Sequence, residues 1–198
     1  MNSMIEKHPF RPFLPEQAKV LLLGSFPPQP KRWSIDFYYP NFINDMWRIT
    51  GLLFFGNKDE FIIKNSGKKG KDAFDKEKII DFCSGKGIAM YDTATAVRRL
   101  KDNASDKFLD VVTPTDIASL LSNIPQCVAI VTTGQKATDV LAERYGCVKP
   151  SVGEKTDITI DGKIYTLYRL PSTSRAYPLP LEKKAEYYRE MYMEIGLL

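Results

Sequence analysis

Three observations on this chain predict an α/β fold. An apolar run over residues 19–23 ends in Gly24-Ser25-Phe26-Pro27-Pro28. Residues 127–132 are the clearest β-branched and apolar strand, followed by Thr133-Gly134 and a helical pattern over 135–145. That strand–glycine–helix unit is the repeat of an α/β protein. A last apolar run, 163–170, leaves in Pro171-Ser172-Thr173-Ser174-Arg175. Loops at the carboxyl ends of parallel strands form the ligand crevice of an open α/β sheet. The first and last of these loops therefore mark where a ligand would sit.

The remaining elements follow in order. Residues 1–18 read as an extended arm, because Pro9, Pro12 and Pro15 forbid a long helix while Phe10, Phe13 and Leu14 can lie across the body. Residues 24–40 form a long loop punctuated by proline and carrying Trp33, Phe37, Tyr38 and Tyr39. A loop of that length at a strand end is more often functional than filler. Phe42, Met46, Ile49 and Leu53 recur at helical spacing and predict a helix over 41–53. Residues 64–71 are a basic, glycine-broken loop, read as a solvated surface or as a phosphate contact. A helix over 73–83 and a strand over 87–91 ending at Asp92 come next, then a helix opened by Pro114 and running to Leu121. Asp161-Gly162 suits a hairpin turn between 158–160 and 163–170, and residues 181–195 are helical by pattern.

At 198 residues and 43% hydrophobic content the chain can bury a sizeable core, most simply as one domain over residues 1–198. A net charge of +4 is compatible with a polyanionic partner without requiring one. Three widely spaced cysteines, Cys83, Cys127 and Cys147, propose neither a disulfide framework nor a zinc cluster and fit a reducing compartment. His8 is the sole histidine, so metal sites built from several imidazoles are excluded. No signal-peptide core and no membrane-length apolar run is present, which gives a cytoplasmic expectation without a membrane partner.

The candidate site residues come from the loops. Gly24-Ser25-Phe26-Pro27-Pro28 lacks the Gly-Lys-Ser ending of a P-loop and the dinucleotide fingerprint. It offers close backbone approach at Gly24 and no carboxylate at its centre. Three consecutive hydroxyls, Ser172, Thr173 and Ser174, can hold phosphate oxygens, with the long cation Arg175 behind them. A serine-rich turn with an exposed arginine is the plainer reading. On the expected helix Asn44 and Trp47 face similarly. Asn44 and Asp92 suit either capping or projection into the crevice, whereas Asp106 and Asp116 suit local capping.

Taken in order, His8-Pro9-Phe10, the Gly24 loop, residues 38–47, Gly87-Ile88-Ala89-Met90-Tyr91-Asp92, Gly134-Gln135-Lys136-Ala137 and Leu170 to Arg175 resemble the uracil-DNA glycosylase superfamily. The branch they look most like is the hypoxanthine/uracil glycosylases related to the mismatch-specific enzymes. The resemblance implies a three-layer α/β/α sandwich with a central, mostly parallel four-stranded sheet. It implies metal-independent, cofactor-free hydrolysis of the N-glycosidic bond of uracil or hypoxanthine flipped out of DNA, in base excision repair. By the same resemblance Asn44 orients water or the sugar, and Gly24 and Ser25 contact the base. Phe26 stands where other branches carry a polar residue, Phe37 or Tyr39 stacks on the base, and Asp92 reads its edge. Ser172, Thr173 and Ser174 pinch phosphates, and Arg175 wedges into the gap left by the flipped base. The expected partner is DNA holding a deaminated or mismatched base, met by a monomer. Two departures stand out: Asn41-Phe42 replaces a common His-Pro, and Asn103-Ala104-Ser105-Asp106 replaces Gly-Ser-Leu-Asp. Phe26 and Asn41-Phe42 motivate a non-catalytic binder of damaged nucleic acid as the alternative, with a hydrolase of free nucleosides or nucleotides third.

Overall fold

The computed structural model describes residues 4–67, 70–100 and 108–198. In chain order the strands are β1 (Ile5–Lys7), β2 (Val20–Gly24), β3 (Ile62–Ile63), β4 (Ala73–Phe74), β5 (Ile88–Asp92), β6 (Ala94–Arg99), β7 (Leu109–Pro114), β8 (Ala129–Thr133), β9 (Lys155–Ile160) and β10 (Lys163–Leu170). The helices are α1 (Met46–Phe55), α2 (Lys76–Lys86), α3 (Ile117–Ser122), α4 (Gln135–Tyr145) and α5 (Leu181–Glu194).

Every residue of β2, β5 and β8 is buried. Strands covered on both faces need continuous apolar runs, which is what these segments supply. They build a five-stranded sheet in the order β5-β2-β8-β10-β9. The first four are parallel neighbours, and β9 runs antiparallel to β10. The expected four-stranded sheet is thus one strand short of the real one. The extra strand is the first arm of the hairpin that turns at Asp161 and Gly162, which extends the sheet at its edge.

The connections β2 to β5 and β8 to β10 step in opposite directions across the sheet. Right-handed crossovers therefore put α1 and α2 on one face and α4 on the other. On the first face Phe54 of α1 meets Phe82 of α2 and Tyr192 of α5 edge-on. The result is an α/β fold with a mixed central sheet flanked by helices.

A second, three-stranded antiparallel sheet has the order β1-β6-β7. Residues 94–99 and 109–114 are strands that the sequence pattern does not announce, and the arm, expected only to be extended, contributes a strand of its own. Residues 5–7 of the arm pair with residues 96–98 of β6. Further along, Phe10, Phe13 and Leu14 pack on the main core. Pro114 ends β7 rather than opening a helix, and Asp116 caps α3 by accepting from Ser119 N. Residues 73–74 form a strand, and α2 starts after Asp75, whose carboxylate accepts from Lys78 N. The helix expected from residue 41 begins only at Met46. The expected motif at 103–106, with Asp106, lies outside the described residues, as do Lys68 and Lys69 of the basic loop.

The C-cap of α2 constrains the start of the sheet. Gly87 takes φ +69° there, and a Cβ would stand 2.5 Å from the carbonyl oxygen of Gln17. Replacing it strains the backbone and pushes the arm off β5 at once. Gly87→Ala is expected to cost about 2 kcal/mol of stability, read as a lowered urea midpoint at unchanged m-value.

Candidate functional site

All four parallel strands deliver their carboxyl ends to one cleft. Gly24 closes β2, Asp92 closes β5, Thr133 closes β8, and Ser172, Thr173 and Ser174 follow β10; each lines the cleft. The sheet order reverses between β2 and β8, so the cleft sits at the topological switch point. Ser25, Phe26, Tyr39 and Asn44 complete the residues that the sequence brings together here. Phe37 and Arg175 do not line it. Phe37 is buried in the core against Phe13, Tyr38 and Trp47, so of the two aromatics only Tyr39 lines the cleft.

Gly24 and Asp92 are partners in the parallel register. A Cβ on Gly24 would lie 2.4 Å from Asp92 Oδ1, so the absence of a side chain makes room for the carboxylate. The other oxygen, Oδ2, is 2.8 Å from His8 Nε2. The His8 side chain is 2% exposed and Asp92's is 10% exposed. Tyr39 stands nearby at φ +50°, a strained backbone for a bulky residue, with its hydroxyl 3.0 Å from Thr133 Oγ1. Phe26 is 8% exposed and packs with Ala94, Val97 and Leu109.

Asn44 sits in the turn before α1, not on the helix, so it does not share a helical face with Trp47. Its Oδ1 accepts from Met46 N at 2.9 Å. An amide oxygen has two lone pairs, so this bond orients the side chain without exhausting it. The next residue, Asp45, is 4% exposed and joins the two halves of the site. Its backbone N donates to Thr173 O, its Oδ1 takes Arg175 Nε at 2.9 Å, and its Oδ2 takes Lys184 Nζ at 3.1 Å. Lys184 is 1% exposed and also donates to Ser174 O. Arg48 lies close by, donating to Phe42 O and stacking over the Phe42 ring. Burial lowers its pKa first, and the charge of Arg175 lowers it further.

The hydroxyl loop is organised from within. Ser172 Oγ accepts from Ser174 N, and Ser174 Oγ accepts from Ala176 N. Both hydroxyls keep their protons to donate outward, which suits an anionic oxygen. Burial raises the pKa of all three cysteines, Cys127 to about 11. Among the described residues no group of three His, Cys, Asp or Glu is placed to hold a metal ion, and no helix is long and apolar enough to cross a membrane.

This chain shares its fold with a protein of Methanosarcina acetivorans. The solution structure of that protein, described as a "putative uracil DNA glycosylase", matches with a TM-score of 0.63 at 22% identity. The match covers 98% of this chain and 99% of the other. No protein-family model matches the chain, and no curated protein matches it.

Several residues of the site have no clear sequence signal. His8 belongs to the first motif of the resemblance, His8-Pro9-Phe10, but its pattern assigns it no role. Phe10 and Arg99 also line the cleft. Arg99 grips Glu6 of β1 through two bonds of 3.1 Å and donates to Pro27 O, so the arm buttresses the first loop. Asp45 and Lys184 carried no sequence signal, because their partnership spans 139 positions. Breaking one side of a buried pair leaves an uncompensated charge. Lys184→Ala should cost about 3 kcal/mol, measured by urea denaturation, whereas Lys183→Ala on the exposed neighbour should change stability by less than about 0.5 kcal/mol.

Proposed function

We propose that the cleft takes a deaminated base turned out of a DNA strand and that the protein hydrolyses its N-glycosidic bond. The observation that carries this reading is the convergence of Gly24, Asn44, Asp92 and the Ser172–Ser174 hydroxyls on one cleft from four remote segments. The shared fold agrees with it. One domain over residues 1–198 would then hold the whole site.

The chemistry needs little from the side chains beyond placement. As the bond between sugar and base breaks, its electron pair leaves with the base and positive charge develops at the sugar C1′. Water then adds to C1′ and gives up a proton. Asn44, oriented by Met46 N, holds that water or the sugar through its amide. Backbone groups of Gly24 and Ser25 lie against the base, Tyr39 flanks it, and Asp92 meets its edge. Ser172, Thr173 and Ser174 take the phosphates on either side, leaving the base in a dry site where such contacts count for more. Arg175 is anchored at the rim by its Nε to Asp45 and is half exposed, so its outer nitrogens can reach a strand.

One observation favours the non-catalytic reading. Phe26 gives the centre of the first loop no polar group, so Asn44 alone would have to serve the water. The wild-type protein decides between them when incubated with strands bearing uracil, hypoxanthine or mismatched thymine. Release of free base and formation of abasic sites is expected; tight lesion binding without release would establish the binder instead.

Two variants test the roles. Asn44→Ala should slow single-turnover base release by at least about a hundredfold, with strand affinity within about threefold of wild type. Arg175→Ala should lower activity on duplexes about tenfold more than on single strands, because only duplexes need the gap filled. Equal losses on both substrates would remove Arg175 from that role.

A further inference from the structure

His8 is the one imidazole in the chain, and the fold buries it beneath the cleft. Tyr91 and Phe26 pack on its ring, with centroids 4.6 and 5.3 Å away. Its backbone N donates to Thr95 O, so β6 holds the residue's backbone in place. Nδ1 lies 3.1 Å from Phe10 N and 2.9 Å from Phe10 O. If Nδ1 accepts from Phe10 N, the ring proton is on Nε2; if Nδ1 donates to Phe10 O in the imidazolium, Nε2 carries a proton as well. In both states Nε2 donates to Asp92 Oδ2.

That bond has a consequence for what the cleft can recognise. A carboxylate alone is free to turn about its last torsion and offer either oxygen. Here Oδ2 is taken by His8, and Oδ1 is lodged over Gly24, where no side chain stands in its way. The cleft therefore sees a single acceptor at a fixed point. Uracil presents an N–H at ring position N3, and hypoxanthine presents one at N1. Cytosine and adenine carry acceptors at those ring positions and their donors on the exocyclic amine, one atom further out.

We propose that His8 is a positioning residue that holds Asp92 as a one-oxygen acceptor, so that the site selects bases with a ring N–H over their amino counterparts. This rests on the reading of the cleft as a base pocket. With Oδ2 released, the carboxylate could turn to follow an exocyclic amine, and the distinction would fade. A buried acceptor built for one donor rejects an analogue that lacks it far better than a shape-only pocket can.

The test uses binding rather than turnover. Single-stranded oligonucleotides carry either uracil or cytosine on a 2′-fluorinated sugar, since the fluorine opposes the charge that bond cleavage requires. Dissociation constants are read by fluorescence anisotropy for wild type, His8→Phe and His8→Gln, with thermal melting to confirm folding. Phenylalanine keeps the ring packing without a donor, and glutamine keeps an N–H donor without the ring. Because each protein serves as its own reference, a partly folded sample scales both constants equally. Wild type should prefer uracil by at least about tenfold, His8→Phe should fall to within about threefold, and His8→Gln should keep most of the preference. The proposal is overturned if wild type shows no preference, if His8→Phe retains it, or if both variants lose it alike. A wild type that prefers uracil but releases none from an ordinary strand would sink the hydrolytic reading and leave His8's role standing. A wild type that releases uracil while His8→Phe keeps the preference would do the reverse.

Discussion

Asp45 is the residue on which the geometry of the cleft rests. A carboxylate at 4% exposure would be costly without partners, and this one gathers Lys184 from α5, Arg175 from the hydroxyl loop and, through its backbone, Thr173. Those bonds tie the start of α1 to the loop after β10. Asn44, immediately before it, pairs with Ser174 as an isolated bridge, so the amide and the hydroxyls cannot drift apart. Tyr188 adds a hydrogen bond from its hydroxyl to Pro171 O and pins the loop's beginning to the same helix.

The opposite wall is fixed by different means. Parallel register places Asp92 beside Gly24 at the ends of β5 and β2, so sheet pairing alone aims the carboxylate across the cleft. What the sheet cannot do is choose which oxygen faces inward. The N-terminal arm does that through His8, and it secures itself with the two-pronged Glu6–Arg99 contact. Arg99 in turn holds Pro27 O, so the arm that orients Asp92 also shapes the first loop.

The parts of this arrangement that the sequence made legible are those written in local pattern. Buried parallel strands announce themselves as apolar runs, and their exits carry Gly24, Asp92 and Ser172 to Ser174. The hairpin around Asp161-Gly162 was equally readable, although the resemblance suggested a sheet one strand smaller. β6 and β7 were not, since 94–99 and 109–114 carry their alternation among threonine, arginine and aspartate with no sharp apolar signal. Phe37 was a candidate only through the resemblance, and the loop over 24–40 has no repeat that could say it packs inward against Phe13, Tyr38 and Trp47. Tyr39 faces the cleft only by adopting φ +50°, which no propensity would assign to tyrosine. Contacts such as Asp45–Lys184 and His8–Asp92 join residues far apart in the chain and leave no local trace.

Both carboxylates of the site are thus held by segments outside the α/β repeat, Asp92 by the N-terminal arm and Asp45 by the C-terminal helix. Buried ion pairs contribute less to stability than their geometry suggests, because desolvation offsets attraction. Their value here is directional. Around Asp45 stand three cations, Arg48, Arg175 and Lys184, a surplus of positive charge on the side where the serine hydroxyls donate. At the floor stands the acceptor oxygen of Asp92. A ligand suited to this polarity carries an N–H at one end and anionic oxygens at the other. Of the three cations only Arg175 is half exposed, so it is the one that an anionic group entering from the rim would meet.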